Sequence, residues 1–383
     1  MIRPYGSDTL VDCHASPRER ETIARLQREG GLAVECDDDA VLECGRIADG
    51  SLTPVDGFFD EAETEAIVAR GELTNGRYFP LPILLPAPGI DPGARHREVL
   101  LRTRGGEAFG YLADASVFRF DLERLCRAMF GVCDTKHPGV ARLLKGGDVF
   151  VGGTLRMVPQ ADALTAHCLS PARVRAEIRR RGWRTCVGFQ TRNIPHRAHE
   201  YLQRIALETN DGLLIHPIIG WKKADDYRPE VVIAAYRYLV EEVYPPSKVL
   251  LSGLQLQMRY AGPKEAVLHA IIRQNFGCTR FIVGRDHAGV GGFYGRYDAH
   301  EIFDRVEQHL DIRIMRLKGP FFCRRCRGVV TENTCRHGEA DRREISGSLI
   351  REMLALGEYP PEELIRKDVV DVIRRHDEIF IGA

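Results

Sequence analysis

Residues 185–208, TCVGFQTRNIPHRAHEYLQRIALE, constrain the fold most, because a buried strand, a polar loop and a helix follow one another without a break. Residues 185–189 form a short apolar run that includes a β-branched residue, which suits a buried strand. Pro195 suits the start of a helix, where its missing N–H is tolerated. Beyond it, apolar residues recur at helical spacing: Ala198, Tyr201, Leu202, Ile205 and Ala206. The stretch predicts a strand, a loop and a helix in that order.

Strand and helix patterns continue to alternate after this stretch. Apolar runs at residues 213–220, 249–253 and 281–284 read as strands, and residues 229–242 and 262–277 read as helices. Such alternation implies right-handed crossovers and a parallel, doubly wound α/β sheet. In these sheets, ligands bind at the carboxyl ends of the strands.

The chain before this region has a different pattern. Short apolar pieces at residues 79–85, 98–102 and 148–152 are broken by Gly, Pro and Asp, which predicts a mostly β domain with a few helices, such as 17–29 and 120–130. A capped helix start at Ser170 and Pro171 marks entry to the next domain. We therefore divide the chain into an N-terminal domain at residues 1–165, an α/β domain at residues 166–316 and a C-terminal part at residues 317–383.

The loop between the first strand and helix is rich in hydrogen-bond donors. Gln190, Thr191, Arg192 and Asn193 precede a helix N-terminus, a combination that favours an anion site. His196 and His199, a further pair, are three residues apart and share one helix face. The alternative is a polar turn and a surface helix with idle histidines. So many suitable side chains within ten residues favour the functional interpretation.

These residues carry a family resemblance. The sequence QTRNIPHRAHE, residues 190–200, resembles the QTRNPxHRAHE signature of the ATP sulfurylase (sulfate adenylyltransferase) family, whose histidine pair sits on the nucleotide phosphates. Ile194 replaces the usual proline, and every polar side chain is kept. MRYAGP at 258–263 and GRDHAGVG at 284–291 also match family motifs, and residues 136–153 resemble the close of its PUA-like N-terminal domain. The resemblance implies a nucleotidyltransferase α/β domain behind a PUA-like domain.

The resemblance also implies a role for each motif residue. Gln190, Arg192 and the backbone N–H of Ala288 would hold sulfate. Thr191 and Asn193 would face the α-phosphorus and triphosphate, while His196 and His199 would stabilise the departing pyrophosphate; these four residues and Arg192 are the predicted catalytic set. The predicted ATP contacts are the six residues of the first motif, Gln190, Thr191, Arg192, Asn193, His196 and His199, together with Met258, Gly284, Arg285, Asp286, His287 and Val330.

The glycine-rich turn has its own physical interpretation. The glycines of residues 284–291 allow the backbone to approach an anion, and Arg285 and His287 add donors. The alternative is a tight loop closed by an ion pair between Arg285 and Asp286.

The reaction that the resemblance implies is adenylyl transfer from MgATP to sulfate by in-line attack on the α-phosphorus. The products are adenosine 5′-phosphosulfate and pyrophosphate, and the reaction is reversible. Sulfate arrives ionised, so the site must supply position and charge rather than a general base. Another oxyanion, such as selenate or a phosphonate, stays open as a substrate because Gln190 and Arg192 recognise shape and charge more than the central atom.

A second cluster lies near the C-terminus. Cys323, Cys326, Cys335 and His337 form CxxC, eight residues, then CxH, which is the spacing of a closed, structural zinc site. The alternative is reduced thiols without a metal. Residues 344–373 follow with helical patterns.

Composition limits the other classes of function. Lys plus Arg and Asp plus Glu each number 54, so the formal net charge is zero, which argues against nucleic-acid or membrane-surface binding by bulk charge. A PUA-like domain with a zinc knuckle could still belong to an RNA-binding protein, which would be expected to have a basic face with exposed aromatics. The balanced charge and the loop of residues 190–199 count against this alternative. No apolar run reaches the roughly 18 residues of a membrane span. Eleven scattered cysteines do not suggest a disulfide scaffold. We expect a cytoplasmic homodimer.

Overall fold

The computed structural model describes residues 2–93, 95–160, 162–220 and 226–382. The N-terminal part forms a mixed sheet of order β1-β4-β5-β6-β2, in which β3 also pairs with β6. Its strands are β1 Ala33–Cys36, β2 Gly57–Phe58, β3 Leu85–Pro86, β4 Arg95–Thr103, β5 Ala108–Arg119 and β6 Val149–Met157. Its helices are α1 Pro17–Glu29, α2 Asp38–Ala48, α3 Glu61–Arg70, α4 Leu122–Phe130 and α5 Pro138–Gly146.

The prediction of a mostly β domain was wrong in its proportions, because α2, α3 and α5 accompany the sheet. Asp37 and Asp60 cap α2 and α3 by accepting a hydrogen bond from the third helical N–H, at 2.9 Å in both cases. Residues 79–85 are irregular up to Leu85, although Phe79 and Leu81 are buried. A buried apolar run therefore does not by itself specify a strand.

The second sheet is parallel throughout, with the order β11-β10-β7-β8-β9. Its strands are β7 Cys186–Thr191, β8 Gly212–Pro217, β9 Val249–Leu251, β10 Arg280–Val283 and β11 Arg313–Arg316. Its helices are α6 Pro171–Arg180, α7 Arg197–Thr209, α8 Pro229–Tyr238, α9 Gly262–Asn275, α10 Asp298–Glu301 and α11 Phe303–Val306. The strand order runs outward from β7 in both directions, so the prediction of a doubly wound sheet is confirmed. The carboxyl ends of the neighbours β7 and β10 form the predicted ligand edge.

Helix α9 is the central buried helix of the molecule. Every residue from Glu265 to Asn275 is buried, including several with polar or charged side chains. Its end is anchored to the N-terminal domain: Asn275 Oδ1 accepts from the N–H of Tyr5 at 2.8 Å, and Asn275 Nδ2 donates to the carbonyls of Ser51 and Thr53. The first two parts of the chain therefore share one core.

The C-terminal part adds a small antiparallel sheet of order β13-β12-β14 and two helices. Its elements are β12 Phe321–Cys323, β13 Gly328–Val330, β14 Arg342–Glu344, α12 Gly347–Ala355 and α13 Lys367–Ile373. Ile350 of α12 and Val370 of α13 share an apolar core with Leu202 and Val232 of the parallel sheet's helices. Within the described residues, no helix is both long and apolar enough to cross a membrane.

Candidate active site

The polar loop after β7 is a tight turn fixed by its own side chains. Thr191 ends the strand, and its hydroxyl oxygen accepts the N–H of Asn193 at 3.1 Å. Ile194, which stands where the family pattern has proline, is buried in the core beneath the turn. Arg192 is exposed, and its guanidinium lies 5.4 Å from the centre of the Tyr260 ring. The turn thus anchors itself at Thr191 and Ile194 and presents Arg192 outward.

His196 and His199 share one face, as the spacing predicted. Helix α7 begins at Arg197, two residues after Pro195, and His196 is its N-cap: the ring Nδ1 accepts the N–H of His199 at 3.3 Å. The two imidazoles stack with centroids 3.7 Å apart and planes inclined by 22°. The hydroxyl of Tyr236 lies 3.0 Å from Nδ1 of His199.

Burial sets the charge state of this pair. Desolvation lowers the pKa of His196 to about 4, and it lowers the pKa of His199 well below its usual value, with the neighbouring His196 as a further cause. Both rings are therefore neutral near pH 7 and can act as hydrogen-bond donors.

The glycine-rich loop after β10 lies beside this turn. Asp286 and Ala288 have positive φ angles of 54° and 55°. The carbonyl of Ala288 accepts the N–H of Gly262 at 3.1 Å, which ties the loop to the segment before α9. Arg285 forms an ion pair with Asp286 at 3.3 Å, as expected for a tight loop closed by this pair. It forms a second ion pair with Glu344 at 3.4 Å. Arg285 thus connects the loop to the C-terminal sheet, beside a cavity of ≈ 330 Å³ that it lines together with Phe321.

Sequence reasoning missed a buried polar chain beneath the turn. Gln190 Nε2 lies 2.8 Å from Nδ1 of His269, and Nδ1 of His269 lies 3.2 Å from Nε2 of His287. Nε2 of His269 lies 3.5 Å from the buried carboxylate of Glu265. Glu265 and His269 are four residues apart on a helix, the residues between them are apolar, and this pattern could have indicated a buried polar pair.

The C-terminal part also reaches the turn, which the sequence did not indicate. Arg351 of α12 donates from Nη2 to Oδ1 of Asn193 at 3.3 Å, forms an ion pair with Asp226 at 3.4 Å and lies over the ring of Tyr227 at 5.4 Å. Nothing in its helical pattern distinguishes Arg351 from a surface arginine, so only its position in three dimensions identifies it.

The two remaining predicted nucleotide contacts lie on separate elements. Met258 packs against the core shared by the first two parts of the chain. Val330 ends β13, which packs against α7, and pairs with Phe321 in the neighbouring strand. Their contacts with a nucleotide stay predictions.

The cysteine and histidine cluster comes together as the spacing predicted. The ligand atoms of Cys323, Cys326, Cys335 and His337 all lie within 4.8 Å of one another. Cys326 and Cys335 have Sγ atoms 3.7 Å apart, and His337 Nδ1 is 3.3 Å from Cys326 Sγ. A tetrahedral cage with zinc–sulfur bonds of about 2.3 Å has sulfur–sulfur edges of about 3.8 Å, so the donor set fits a closed zinc site.

With this geometry established, comparison with known proteins decides the family. The ATP-sulfurylase family model matches residues 165–376, and the PUA-like domain model matches residues 2–160. The chain belongs to the ATP-sulfurylase family. The resemblance predicted from residues 190–200 is confirmed, as is the PUA-like N-terminal domain.

Full-length relatives agree with this assignment. The chain is 41% identical over 377 residues to the sulfate adenylyltransferase of Symbiobacterium thermophilum, covering 97% of this chain and 95% of the relative. The sulfate adenylyltransferase of Aeropyrum pernix is 40% identical over the whole of both chains. Among solved structures, the hexameric APS kinase from Thiobacillus denitrificans matches with a TM-score of 0.74 and 21% identity, covering 98% of this chain and 68% of that one. That last likeness shows the fold alone.

Proposed function

We propose that this chain is a sulfate adenylyltransferase that transfers the adenylyl group of MgATP to sulfate. A sulfate oxygen attacks the α-phosphorus, the bond to the bridging oxygen of the β-phosphate breaks, and that oxygen leaves with the electron pair as part of pyrophosphate. The observation that carries the proposal is the turn from Gln190 to Asn193, which meets the stacked histidines His196 and His199 at the ligand edge of the sheet. Membership of the ATP-sulfurylase family and two full-length relatives named sulfate adenylyltransferase support it.

On the sulfate side, the proposed contacts are Arg192, Gln190 and the N–H of Ala288. The planar guanidinium of Arg192 can present two parallel N–H groups to a tetrahedral oxyanion. Gln190 directs one Nε2–H group at Nδ1 of His269, and its second Nε2–H group can be offered to an oxyanion. Both side chains extend from the carboxyl end of β7.

On the nucleotide side, the proposed contacts are Thr191, Asn193, His196 and His199, with the second loop residues Gly284, Arg285, Asp286 and His287 and with Met258 and Val330. As neutral donors, His196 and His199 would gain strength as negative charge develops on pyrophosphate, which is the condition for transition-state stabilisation. Arg285 would exchange its partners Asp286 and Glu344 for phosphate oxygens. Magnesium arrives as part of the MgATP substrate.

We infer that the C-terminal cluster holds a structural zinc ion. Cys323, Cys326, Cys335 and His337 fill four positions, so no position is left for water or substrate. The ion would order the turn between β12 and β13, whose residues 324–327 are exposed and cannot be fixed by burial. We further propose that the chain works in the cytoplasm as a homodimer, and a mass measurement in solution would test the assembly.

The test is pyrophosphate release from MgATP with sulfate, selenate, molybdate or phosphate as the acceptor. We expect release that depends on sulfate and that falls by about 10²- to 10³-fold in Arg192→Ala but is kept in Arg173→Ala, a matched exposed arginine on α6. Release with a different oxyanion but not with sulfate would reassign the substrate. Release without any oxyanion would contradict adenylyl transfer.

A further inference from the structure

Tyr260 lies directly against the side chain that the proposed function assigns to sulfate. The guanidinium carbon of Arg192 is 5.4 Å from the centre of the Tyr260 ring, within the range of a cation–π contact. Among the described residues, no carboxylate forms an ion pair with Arg192. The aromatic face is therefore the contact in this structure that orients the guanidinium without neutralising it.

The backbone of Tyr260 is held in an unusual conformation. Its φ angle is +61°, in the left-handed region that a bulky residue rarely adopts. The buried carboxylate of Glu265 accepts the N–H groups on both sides of this residue, from Arg259 at 2.8 Å and from Ala261 at 2.9 Å. Such strain persists where the surroundings over-determine it, and it is found at functional sites.

The N-terminal domain supplies a second support through His137. Nδ1 of His137 accepts the N–H groups of Gly139 and Val140 at 3.1 and 3.3 Å, so the ring hydrogen is on Nε2. That Nε2 lies 3.1 Å from the carbonyl of Tyr260 and can donate to it. His137 is fully buried, with the ring of Phe130 4.8 Å away.

The same segment also contacts the loop that carries another predicted sulfate donor, the N–H of Ala288. Gly262, two residues after Tyr260, donates its N–H to the carbonyl of Ala288 at 3.1 Å. A side chain on Gly262 would collide with the ring of Tyr294. Glycine at this position therefore lets the segment pack closely against the ring. One rigid turn thus positions both Arg192 and the loop that carries the Ala288 N–H.

We propose that Tyr260 is a positioning residue for oxyanion recognition, with its ring fixing the plane of Arg192 and with Glu265 and His137 fixing Tyr260. The inference rests on the proposed function, because it takes Arg192 as the oxyanion ligand. It also gives the N-terminal domain a part in the site, since His137 belongs to that domain. The Arg259–Glu43 ion pair between the two domains reinforces the same contact.

The experiment compares Tyr260→Leu with Tyr260→Phe. Loss of the ring should raise KM for sulfate by about 2- to 30-fold, the range that a cation–π contact supports, with KM for ATP nearly unchanged. Phenylalanine keeps the aromatic face and should give a KM for sulfate that is closer to wild type than that of the leucine variant. Tyr260→Met provides a second aliphatic variant if the leucine variant is unstable. Tyr359→Leu is the matched control, because it removes an exposed stack with Arg374 at 4.7 Å.

A double-mutant cycle separates positioning from general damage. In an Arg192→Ala background, Tyr260→Leu should add no further loss, because the group that it positions is absent. Additive losses, or equal changes in KM for sulfate and for ATP, would overturn the inference. If wild type shows sulfate-dependent turnover that is strongly reduced in Arg192→Ala, but Tyr260→Leu behaves as wild type, the inference fails and the proposed function stands. If wild type shows no dependence on sulfate, the proposed function fails first.

Discussion

His196 and His199 stack at 3.7 Å between ring centroids, a separation at which two protonated imidazoles would repel each other. The pair is therefore neutral in the free protein, as the lowered pKa values of both rings require. A polyphosphate placed against them would raise both pKa values from these low starting points, and the neutral rings can still donate a hydrogen bond to it.

This relationship predicts how stability depends on pH. A histidine with a lowered pKa in the folded state binds fewer protons than in the unfolded state. Its stabilising contribution is therefore complete above pH of about 6.5 and is lost as the pH falls toward 4, the pKa of His196. We expect Tm to fall over this window and to fall less in His196→Asn. Across the whole window, the free energy of unfolding of this variant should drop by up to roughly 2–3 kcal/mol less than that of wild type. A slope unchanged in His196→Asn would contradict the assignment.

The kinetic role of the pair gives a separate prediction. If His199 donates to the leaving pyrophosphate, His199→Asn should lower kcat more than it raises KM for sulfate. Steady-state kinetics with each substrate varied in turn provides the measurement. An effect confined to KM for sulfate would move the histidine to the other half of the site. Tyr236→Phe, which removes the hydroxyl beside His199 Nδ1, should give a smaller change in the same direction.

If the cysteine and histidine cluster holds a structural zinc ion, removing one donor should lower stability without a loss of chemistry. Cys326→Ser removes one of the four donors, so metal content per chain and Tm should both fall, while the single-turnover rate stays close to wild type. Cys133→Ser, at another exposed cysteine, is the control and should leave both quantities unchanged. A metal-free protein of full stability, or a stable Cys326→Ser whose chemistry collapses, would each be inconsistent with a structural ion.

The hydrogen bond from Arg351 to Asn193 predicts that the C-terminal part contributes to nucleotide binding. Arg351→Met keeps the apolar stem over Tyr227 but removes the donor to Asn193. We expect KM for ATP to rise by about 3- to 10-fold, the scale of one hydrogen bond from a charged group, with KM for sulfate little changed. Arg374→Met, in the turn after α13, is the matched surface control. Equal rises in both KM values would indicate disorder of the turn instead.

The sequence predicted those parts of the fold that repeat a local pattern. The β7–α7 unit and the parallel sheet followed from apolar periodicity, and helix α1 matched its predicted bounds because Ser16, Glu19 and Gly30 cap both ends. Strand β11 escaped notice because it is short and its sequence, RIMR, places two partly buried apolar residues between two exposed arginines. Helices α2 and α3 are short and carry acidic residues in their first turns, so their apolar stripes are narrow.

Within the site, the sequence indicated the residues grouped along the chain and missed those brought in from a distance. Residues 190–199 stand together in one motif, whereas Glu265, His269 and Arg351 reach the turn from α9 and α12. His137 caps α5, and its contact with the Tyr260 carbonyl depends on how two domains pack. Periodicity and motif spacing describe neighbours in sequence, so they carry no information about such contacts.

Isotope exchange between labelled pyrophosphate and ATP is the most direct test of adenylyl transfer to sulfate with Arg192 as the oxyanion ligand. Exchange requires the adenylyl group to pass to an acceptor and return, so it should occur only when sulfate is present. Arg192→Ala should lower it by about 10²- to 10³-fold, the scale of removing one preorganised charge-stabilising donor. Arg192→Lys should not restore it, because lysine lacks the planar fork. Exchange that proceeds equally without sulfate, or that survives in Arg192→Ala, would contradict the account.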